Sequence, residues 1–279
     1  MEIKASDVKA LRDKTGAGMM ECKNALVECN GDFAASEKLL KEKGLAAVEK
    51  RADRTTSEGL VLIKCDGKKA IMAELTCETD FVARNVEFIA LGENILNIAS
   101  EKGYTEAVPE LSNMVLELAT KVRENMALGR LVALKAGADE YISKYIHSDK
   151  KTGVLVMLKA DKPEIFSNKL VQEFAYDCCL HIAAFTPLYP DSSAIDKAYI
   201  TEQTEIFTKQ VAELDKPENV KAGIVQGKIK KHLADICFLD QPFVKDDKMS
   251  VSRKMDEIGK AAGGKITLSK MVLSQLGAK

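Results

Sequence analysis

The feature that most constrains the fold is an order of predicted elements that occurs twice along the chain. Strand, strand, helix, helix, strand is predicted within residues 59–138, and the same order begins again at residue 139. The second round is interrupted, so that it occupies 139–191 and 234–279, with an insert at 192–233. Strands and helices in this arrangement predict the α+β class, with two subdomains of similar topology that each carry an antiparallel sheet and helices.

The insert has the pattern of two polar helices separated by Asp215-Lys216-Pro217. Its apolar positions are sparse, which is typical of a narrow seam between two helices and not of a face that covers a core. The sequence therefore predicts an antiparallel helical hairpin that projects from the second subdomain.

The segment before the first round, residues 1–50, is predicted to form three short helices. Ser6 and Asp32 are in position to cap the first and third helices, and Gly44 is predicted to end the third. So few residues bury little surface, so this module is expected to be only marginally stable by itself. Residues 51–58 are polar and are predicted to be a linker.

Composition limits the partners and the compartment. The 279-residue chain has a net charge of −1, so no overall field draws it onto nucleic acid or an acidic membrane. Aromatic residues are 5% of the chain and are not interleaved with basic ones, so direct binding of nucleic acid is not expected. Seven cysteines without a Cys-x-x-Cys pair predict free thiols in a reducing cytosol. With no apolar signal segment at Met1 and no run of membrane length, a cytoplasmic protein is expected.

No constellation of residues predicts catalysis. The three histidines, His147, His181 and His232, are not in metal-ligand spacing, and His181 is predicted to be a hydrogen-bonded packing residue. Residues 259–266 approach a phosphate-binding loop, but Ile266 stands where Ser or Thr should ligate magnesium. A helix also leads into a strand there, the reverse of the required order. The sequence thus predicts a helix end and a turn there, and no enzyme, catalytic residue, cofactor, metal or direct nucleotide site.

Two segments carry a family resemblance. Residues 11–26 read LRDKTGAGMMECKNAL and residues 74–85 read ELTCETDFVARN, and both closely resemble signatures of the elongation factor Ts family. Residues 181–184 and 241–244 are further matches, and the resemblance runs in order from Ser6 to about Leu273. Two departures are Glu21 and Thr76, where the family usually has Asp and Asn.

The resemblance implies a factor of translation elongation and protein biosynthesis that exchanges guanine nucleotide on the GTPase elongation factor Tu. It implies that Asp80 and Phe81, with Thr79 and Val82 beside them, push into the GTPase domain near its magnesium site. Considered alone, a phenylalanine at the end of a strand is more often part of a core. A Thr-Asp-Phe turn can also present an aromatic anchor beside a charge, as binding hot spots do.

The resemblance also implies that the N-terminal module docks on a helix of the GTPase domain. Arg12, Met19, Met20 and Lys23 match family positions near this contact, and His147 matches another interface position. Helical spacing predicts that Met19 faces inward and that Met20 is at least partly exposed. A surface histidine without a role is the alternative for His147.

A function of another class stays open at this stage. The three-helix module resembles a ubiquitin-associated fold, so the chain could instead be an adaptor that binds helices or peptides. The sequence does not decide between a monomer and a homodimer.

Overall fold

The computed structural model describes residues 3–277, and the chain divides into two compact units. The first unit comprises the chain up to Lys64, residues Ile71–Ala133 and the segment from Gln275. The second unit comprises Cys65–Ala70 and Leu134–Ser274. The bounds of the segments predicted from the sequence stay a prediction. No helix within residues 3–277 is both long enough and apolar enough to cross a membrane.

Three helices open the first unit: α1 (Ala5–Thr15), α2 (Met19–Glu28) and α3 (Phe33–Glu49). They enclose a small core whose buried members are Val8, Leu11, Cys22, Ala25, Leu26 and Leu40. Asn30 and Gly31 adopt positive φ angles of 54° and 81° between α2 and α3, as expected of an Asn-Gly helix end. The three predicted helices are thereby confirmed.

The caps of these helices agree with the sequence in one case and disagree in another. The Asp32 carboxylate accepts a hydrogen bond of 2.9 Å from the Ala35 amide and caps α3, as predicted. The prediction for Ser6 is wrong, because α1 already begins at Ala5 and the Ser6 hydroxyl donates to the Asp7 carboxylate.

Gly44 does not end α3, which continues to Glu49. A Cβ atom at Gly44 would lie 2.2 Å from Cγ2 of Thr120, on a later helix of the same unit. The glycine therefore permits a close approach between two helices and is not a C-cap. This prediction was wrong because the reason for the glycine is a tertiary contact.

The first round of the repeated pattern follows. Its elements are β1 (Glu58–Cys65), β2 (Lys69–Cys77), α4 (Asp80–Ala83), α5 (Val86–Lys102), α6 (Pro109–Val122) and β3 (Met126–Lys135). Gly67 has φ of 90° in the turn between β1 and β2, as the Asp66-Gly67 hairpin signal predicts. The sheet has the order β1-β2-β3, and fully buried Phe88, Ile95 and Leu111 of α5 and α6 belong to its core.

The second round lies in the second unit. Its elements are β4 (Glu140–Ile146), β5 (Thr152–Ala160), a 3-10 turn (Pro163–Ser167), α7 (Lys169–Phe185), a second 3-10 turn (Ser192–Ala194), α8 (Lys197–Ala212), α9 (Glu218–Ile236), β6 (Pro242–Phe243), β7 (Asp246–Ser250), α10 (Val251–Ala261) and β8 (Ile266–Gln275). Strands β4 and β5 are antiparallel, with Glu140 opposite Lys159 and Ile146 opposite Gly153. The sheet has the order β4-β5-β8.

The two three-stranded sheets share one topology. In each, the second strand of the round is central, and the first and last strands flank it. The α+β class and the two subdomains of similar topology are confirmed. The loop of residues 259–266 is also as predicted: α10 ends at Ala261, Gly263 has φ of 83°, and β8 begins at Ile266.

Helices α8 and α9 form the predicted antiparallel pair. Tyr199, near the start of α8, lies with its hydroxyl 2.9 Å from Nε2 of His232, near the end of α9. Val211 and Val225 are buried in the seam. The two ends of the insert are adjacent, because the Leu188 amide donates to the Ile236 carbonyl over 2.9 Å and the Phe238 amide donates to the Tyr189 carbonyl over 2.9 Å.

His181 on α7 is fully buried and joins the two matching segments 181–184 and 241–244 by hydrogen bonds. Its Nε2 lies 2.8 Å from Oε1 of Gln241, and the Val244 amide donates to its Nδ1 over 3.2 Å. Since Nδ1 accepts a hydrogen bond, the ring is neutral and carries its proton on Nε2. His181 is a hydrogen-bonded packing residue, as predicted.

Burial lowers the pKa of His181, which gives stability a defined pH dependence. An unfolded histidine has a pKa of about 6.5, so below that pH the unfolded chain binds a proton that the native chain does not. The contribution of neutral His181 to the free energy of unfolding should be fully present above about pH 6.5. As the pH falls from there to the native pKa, this contribution should decrease by up to about 1.4 kcal/mol per pH unit. Urea unfolding over this range measures it, and His181→Gln should lose the dependence. Equal slopes in both proteins would contradict the assignment.

Candidate functional site

Within residues 3–277, the most exposed aromatic side chain is that of Phe81, which has 83% of its surface accessible. It is the second residue of α4, a helix of four residues that follows β2. Val82 and Ala83 of the same helix are buried in the core of the first unit. These two buried residues fix the short helix against the core, and the Phe81 side chain is exposed to solvent. The alternative that Phe81 belongs to the core is excluded.

Asp80, Phe81's neighbour, is also accessible at the start of α4. Its carboxylate lies 3.2 Å from the guanidinium of Arg84, one turn later, and both side chains are exposed to solvent. Such a surface pair contributes about 0–1 kcal/mol, so it leaves Asp80 available for a stronger partner. An exposed ring and an adjacent exposed carboxylate therefore stand together.

The backbone before Phe81 is fixed by the carboxylate of Glu124, which follows α6. Glu124 accepts hydrogen bonds from the amides of Glu78 (3.1 Å) and Thr79 (3.0 Å) and from the Thr79 hydroxyl (2.6 Å). The Thr79 oxygen in turn accepts from the Val82 amide over 3.4 Å and caps α4. Thr79 is thus a supporting residue of the loop.

A second set of bonds runs in the opposite direction. The Glu78 carboxylate accepts a hydrogen bond of 2.6 Å from the Asn125 amide and pairs with Arg54. The Asn125 amide hydrogen bond, followed by Arg54, lowers the pKa of Glu78, so the group is ionised at neutral pH. The segments Glu78–Thr79 and Glu124–Asn125 therefore hold each other reciprocally, and we call these four residues the clasp.

Cys77 supports the same loop from inside. Its buried thiol lies 3.2 Å from the Thr79 carbonyl oxygen, which accepts its hydrogen bond. Burial raises the pKa of Cys77 to about 12, so the group stays a thiol at neutral pH. It acts as a small packing residue and not as a nucleophile.

The four N-terminal candidates all lie on the surface of the three-helix module. Arg12, Met20 and Lys23 are exposed, and Met20 has 64% of its surface accessible. Met19 is exposed as well, at 43%, so the prediction that it faces inward is wrong. Met19 is the first residue of α2, and the first residue of that helix that is buried in the small core is Cys22.

Sequence reasoning missed two exposed apolar residues of the first unit, Val27 and Val86. Val27 is seven positions after Met20 and therefore lies on the same face of α2. The inward spacing of Cys22 and Leu26 could have indicated this. Val86, with 79% of its surface accessible, is the first residue of α5, and no local pattern marks it as exposed.

His147 follows β4 in the second unit, whereas the other candidates belong to the first. It is exposed, and its Nδ1 lies 2.8 Å from the Tyr145 hydroxyl. This hydrogen bond engages Nδ1 and orients the ring at the surface. Across residues 3–277, no three His, Cys, Asp or Glu side chains group in a way that could hold a metal ion.

Comparison with known proteins identifies the family of this chain. The family described as Elongation factor TS matches residues 78–278. Elongation factor Ts of Treponema denticola is 68% identical over 99% of this chain and 99% of its own length. The Treponema pallidum (strain Nichols) protein of that name is 54% identical over 100% of both chains, and the Borreliella burgdorferi one is 39% identical over 99% of both. The chain therefore belongs to the elongation factor Ts family of translation elongation factors.

Proposed function

We propose that this chain is a guanine-nucleotide exchange factor for elongation factor Tu. It binds the complex of that GTPase with GDP and promotes release of GDP, so that GTP can bind. The observation that carries the proposal is the exposed ring of Phe81, held outward on a short, clasped helix in a member of this family. In this proposal the chain itself performs no chemistry on the nucleotide, and no residue has a catalytic role.

The exposed ring of Phe81 is suited to insert into the partner, and we call Phe81 together with Asp80 the wedge. A phenylalanine that moves from water into a protein pocket contributes a large apolar area, and aromatic anchors are common hot spots. Asp80 beside it places a negative charge at the same point, where it disfavours neighbouring phosphate oxygens and competes for cations. We infer that this pair enters the GTPase domain near its magnesium and phosphate site, with Thr79 and Val82 as its supports.

The wedge acts by shifting a population. The factor binds best to a conformation of the GTPase in which the contacts to magnesium and phosphate are poorer, so that conformation becomes more populated. Coupling is reciprocal, so nucleotide weakens binding of the factor by the same ratio as the factor weakens binding of nucleotide. GTP can therefore enter the emptied site and expel the factor.

The exposed face of α2 is proposed as a second contact with the same partner. Met20, Lys23 and Val27 share this face, and Met19 and Arg12 are exposed on the same module. Flexible methionine side chains adapt to a partner's surface, and the basic residues add orientation. His147 is proposed as a contact made by the second unit.

Met20→Ala tests the second contact. The lost apolar area should weaken binding by about 1 kcal/mol, which raises the concentration of factor for half-maximal exchange roughly fivefold. The maximal rate should stay unchanged, because the wedge is intact. Lys38→Ala, an exposed residue of α3, is the control and should change neither value. An unchanged half-maximal concentration in Met20→Ala would remove α2 from the interface.

Release of a fluorescent GDP analogue from elongation factor Tu is the decisive experiment for the function. Added chain should accelerate release in a saturable manner, whereas a helix- or peptide-binding adaptor would leave the rate unchanged. Titration of the chain alone with the same analogue should give no signal of binding. Binding in that titration would favour a nucleotide site of its own.

A further inference from the structure

We propose that Glu124 is a positioning residue for nucleotide exchange, and that the turn Arg123–Asn125 is the common support of both partner-facing segments of the first unit. The proposal rests on the exchange function proposed above. Glu124 fixes the backbone that presents Phe81, and Arg123, the residue before it, reaches the helix that presents Met20.

The bonds of Glu124 are placed where they determine the direction of α4. Both carboxylate oxygens are engaged, Oε2 by the amides of Glu78 and Thr79 and Oε1 by the Thr79 hydroxyl. Hydrogen bonds to an ionised group are shorter and about twice as strong as neutral ones. Phe81 is only two residues beyond Thr79, so its direction follows from this backbone.

The ring of Phe81 does not fix its own position. Most of its surface is in water, so packing of the ring cannot define its place, and the position must come from the backbone below. A reacting or binding group misplaced by about 1 Å can lose on the order of 100-fold in rate. Rigid support of the exposed Phe81 ring can therefore matter for exchange even where it adds little to the free energy of unfolding.

The turn that carries Glu124 is itself fixed. It follows α6, whose buried Leu111, Val115 and Ala119 belong to the core. Arg123 ends the helix in the left-handed region with φ of 67°, which turns the chain toward the clasp. The Asn125 side chain donates to the backbone carbonyls of Ala52 (3.0 Å) and Arg54 (2.7 Å).

Arg123 connects the same turn to the second contact. Its guanidinium pairs with the carboxylate of Glu21 on α2. The same Glu21 oxygen accepts a hydrogen bond of 2.8 Å from the Gly18 amide, directly before Met19. Adjacent residues of one turn thus touch the segments before Phe81 and before Met20. Because the two segments share one support, each is preorganised relative to the other before the partner binds.

Variants of Glu124 give a graded test in the fluorescent GDP release assay. Glu124→Ala removes all three acceptor contacts and should lower the maximal release rate roughly tenfold. Glu124→Gln keeps an oxygen for the two amides and places an NH₂ group at the Thr79 hydroxyl, so it should lose only about threefold. Glu93→Gln, on the exposed side of α5, is the matched control and should behave as wild type. The half-maximal concentration should change less than about threefold throughout, because α2 still binds.

Two further measurements separate positioning from stability. In a double-mutant cycle, Phe81→Ala with Glu124→Gln should be no slower than Phe81→Ala alone, because Glu124 acts through the ring. Hydrogen exchange should show loss of protection at the amides of Glu78 and Thr79 in the Glu124 variants, with buried core amides unchanged. Additive rate losses in the cycle, or a full maximal rate in both Glu124 variants, would overturn the proposal.

The outcome also distinguishes this proposal from the exchange function. If wild-type chain does not accelerate GDP release, the exchange function fails, and the amide protection still decides whether Glu124 fixes the loop. If wild type is active but protection at Glu78 and Thr79 is the same in the variants, only the positioning role fails. Glu124→Gln keeps the side chain's shape, so it carries the test should Glu124→Ala not fold.

Discussion

Phe81→Ala is expected to abolish most of the acceleration of GDP release while leaving the free energy of unfolding within about 0.5 kcal/mol of wild type. The ring contributes little to the free protein because 83% of its surface is already in water. It contributes to the complex because its apolar area is removed from water only when the partner binds. The same preparations should be used for the exchange assay and for urea unfolding.

Two comparisons sharpen this experiment. Phe185→Ala removes an exposed phenylalanine of α7 in the second unit and should keep full exchange. Val86→Ala removes a smaller exposed side chain near the wedge and should give a partial loss. Full stimulation by Phe81→Ala would disprove the wedge, and a loss of several kcal/mol in stability would show that the ring packs inside the free protein.

Phe88→Ala is expected to have the opposite profile, with a loss of about 3–5 kcal/mol in the free energy of unfolding. Phe88 is on α5, seven residues after Phe81, but it is fully buried in the core of the first unit. Removal of the ring loses its transfer from water and leaves a cavity among close-packed neighbours. Urea unfolding monitored by circular dichroism measures the change.

The exchange activity of folded Phe88→Ala should stay close to wild type at low temperature, since the ring does not reach the surface. Phe88→Leu refills most of the cavity and should lose less than about 1.5 kcal/mol. A cost below 1 kcal/mol for the alanine variant, on the scale of surface substitutions, would contradict the buried position of Phe88.

Local signals explain why most of the fold could be predicted from the sequence. The Asp32 cap, the Asn30-Gly31 helix end and the Asp66-Gly67 turn each depend on residues a few positions apart, so a short stretch of sequence is enough to indicate them. Gly44 was misread because its reason is the approach of Thr120, which is distant in sequence. Tertiary contacts of this kind leave no periodic pattern in the chain.

The candidate site was predictable only in part for the same reason. A family motif marked Asp80 and Phe81, whereas residue type alone would have assigned Phe81 to the core. Its exposure depends on the buried Val82 below it and on Glu124, which bonds Thr79 across 45 residues of sequence. Helical spacing placed Met19 inward, but spacing does not show where a small core ends.

The closure of the insert on itself has an evolutionary consequence. Because Leu188 and Tyr189 meet Ile236 and Phe238 in adjacent backbone hydrogen bonds, the chain enters the insert after α7 and leaves it before β6 at one place. The segment between these points can therefore be shortened, extended or exchanged while the two backbone positions that join it to the second unit stay in place. The α8–α9 pair can therefore diverge in sequence while the second unit around it is kept, and the same place is a natural graft point for a foreign helical domain.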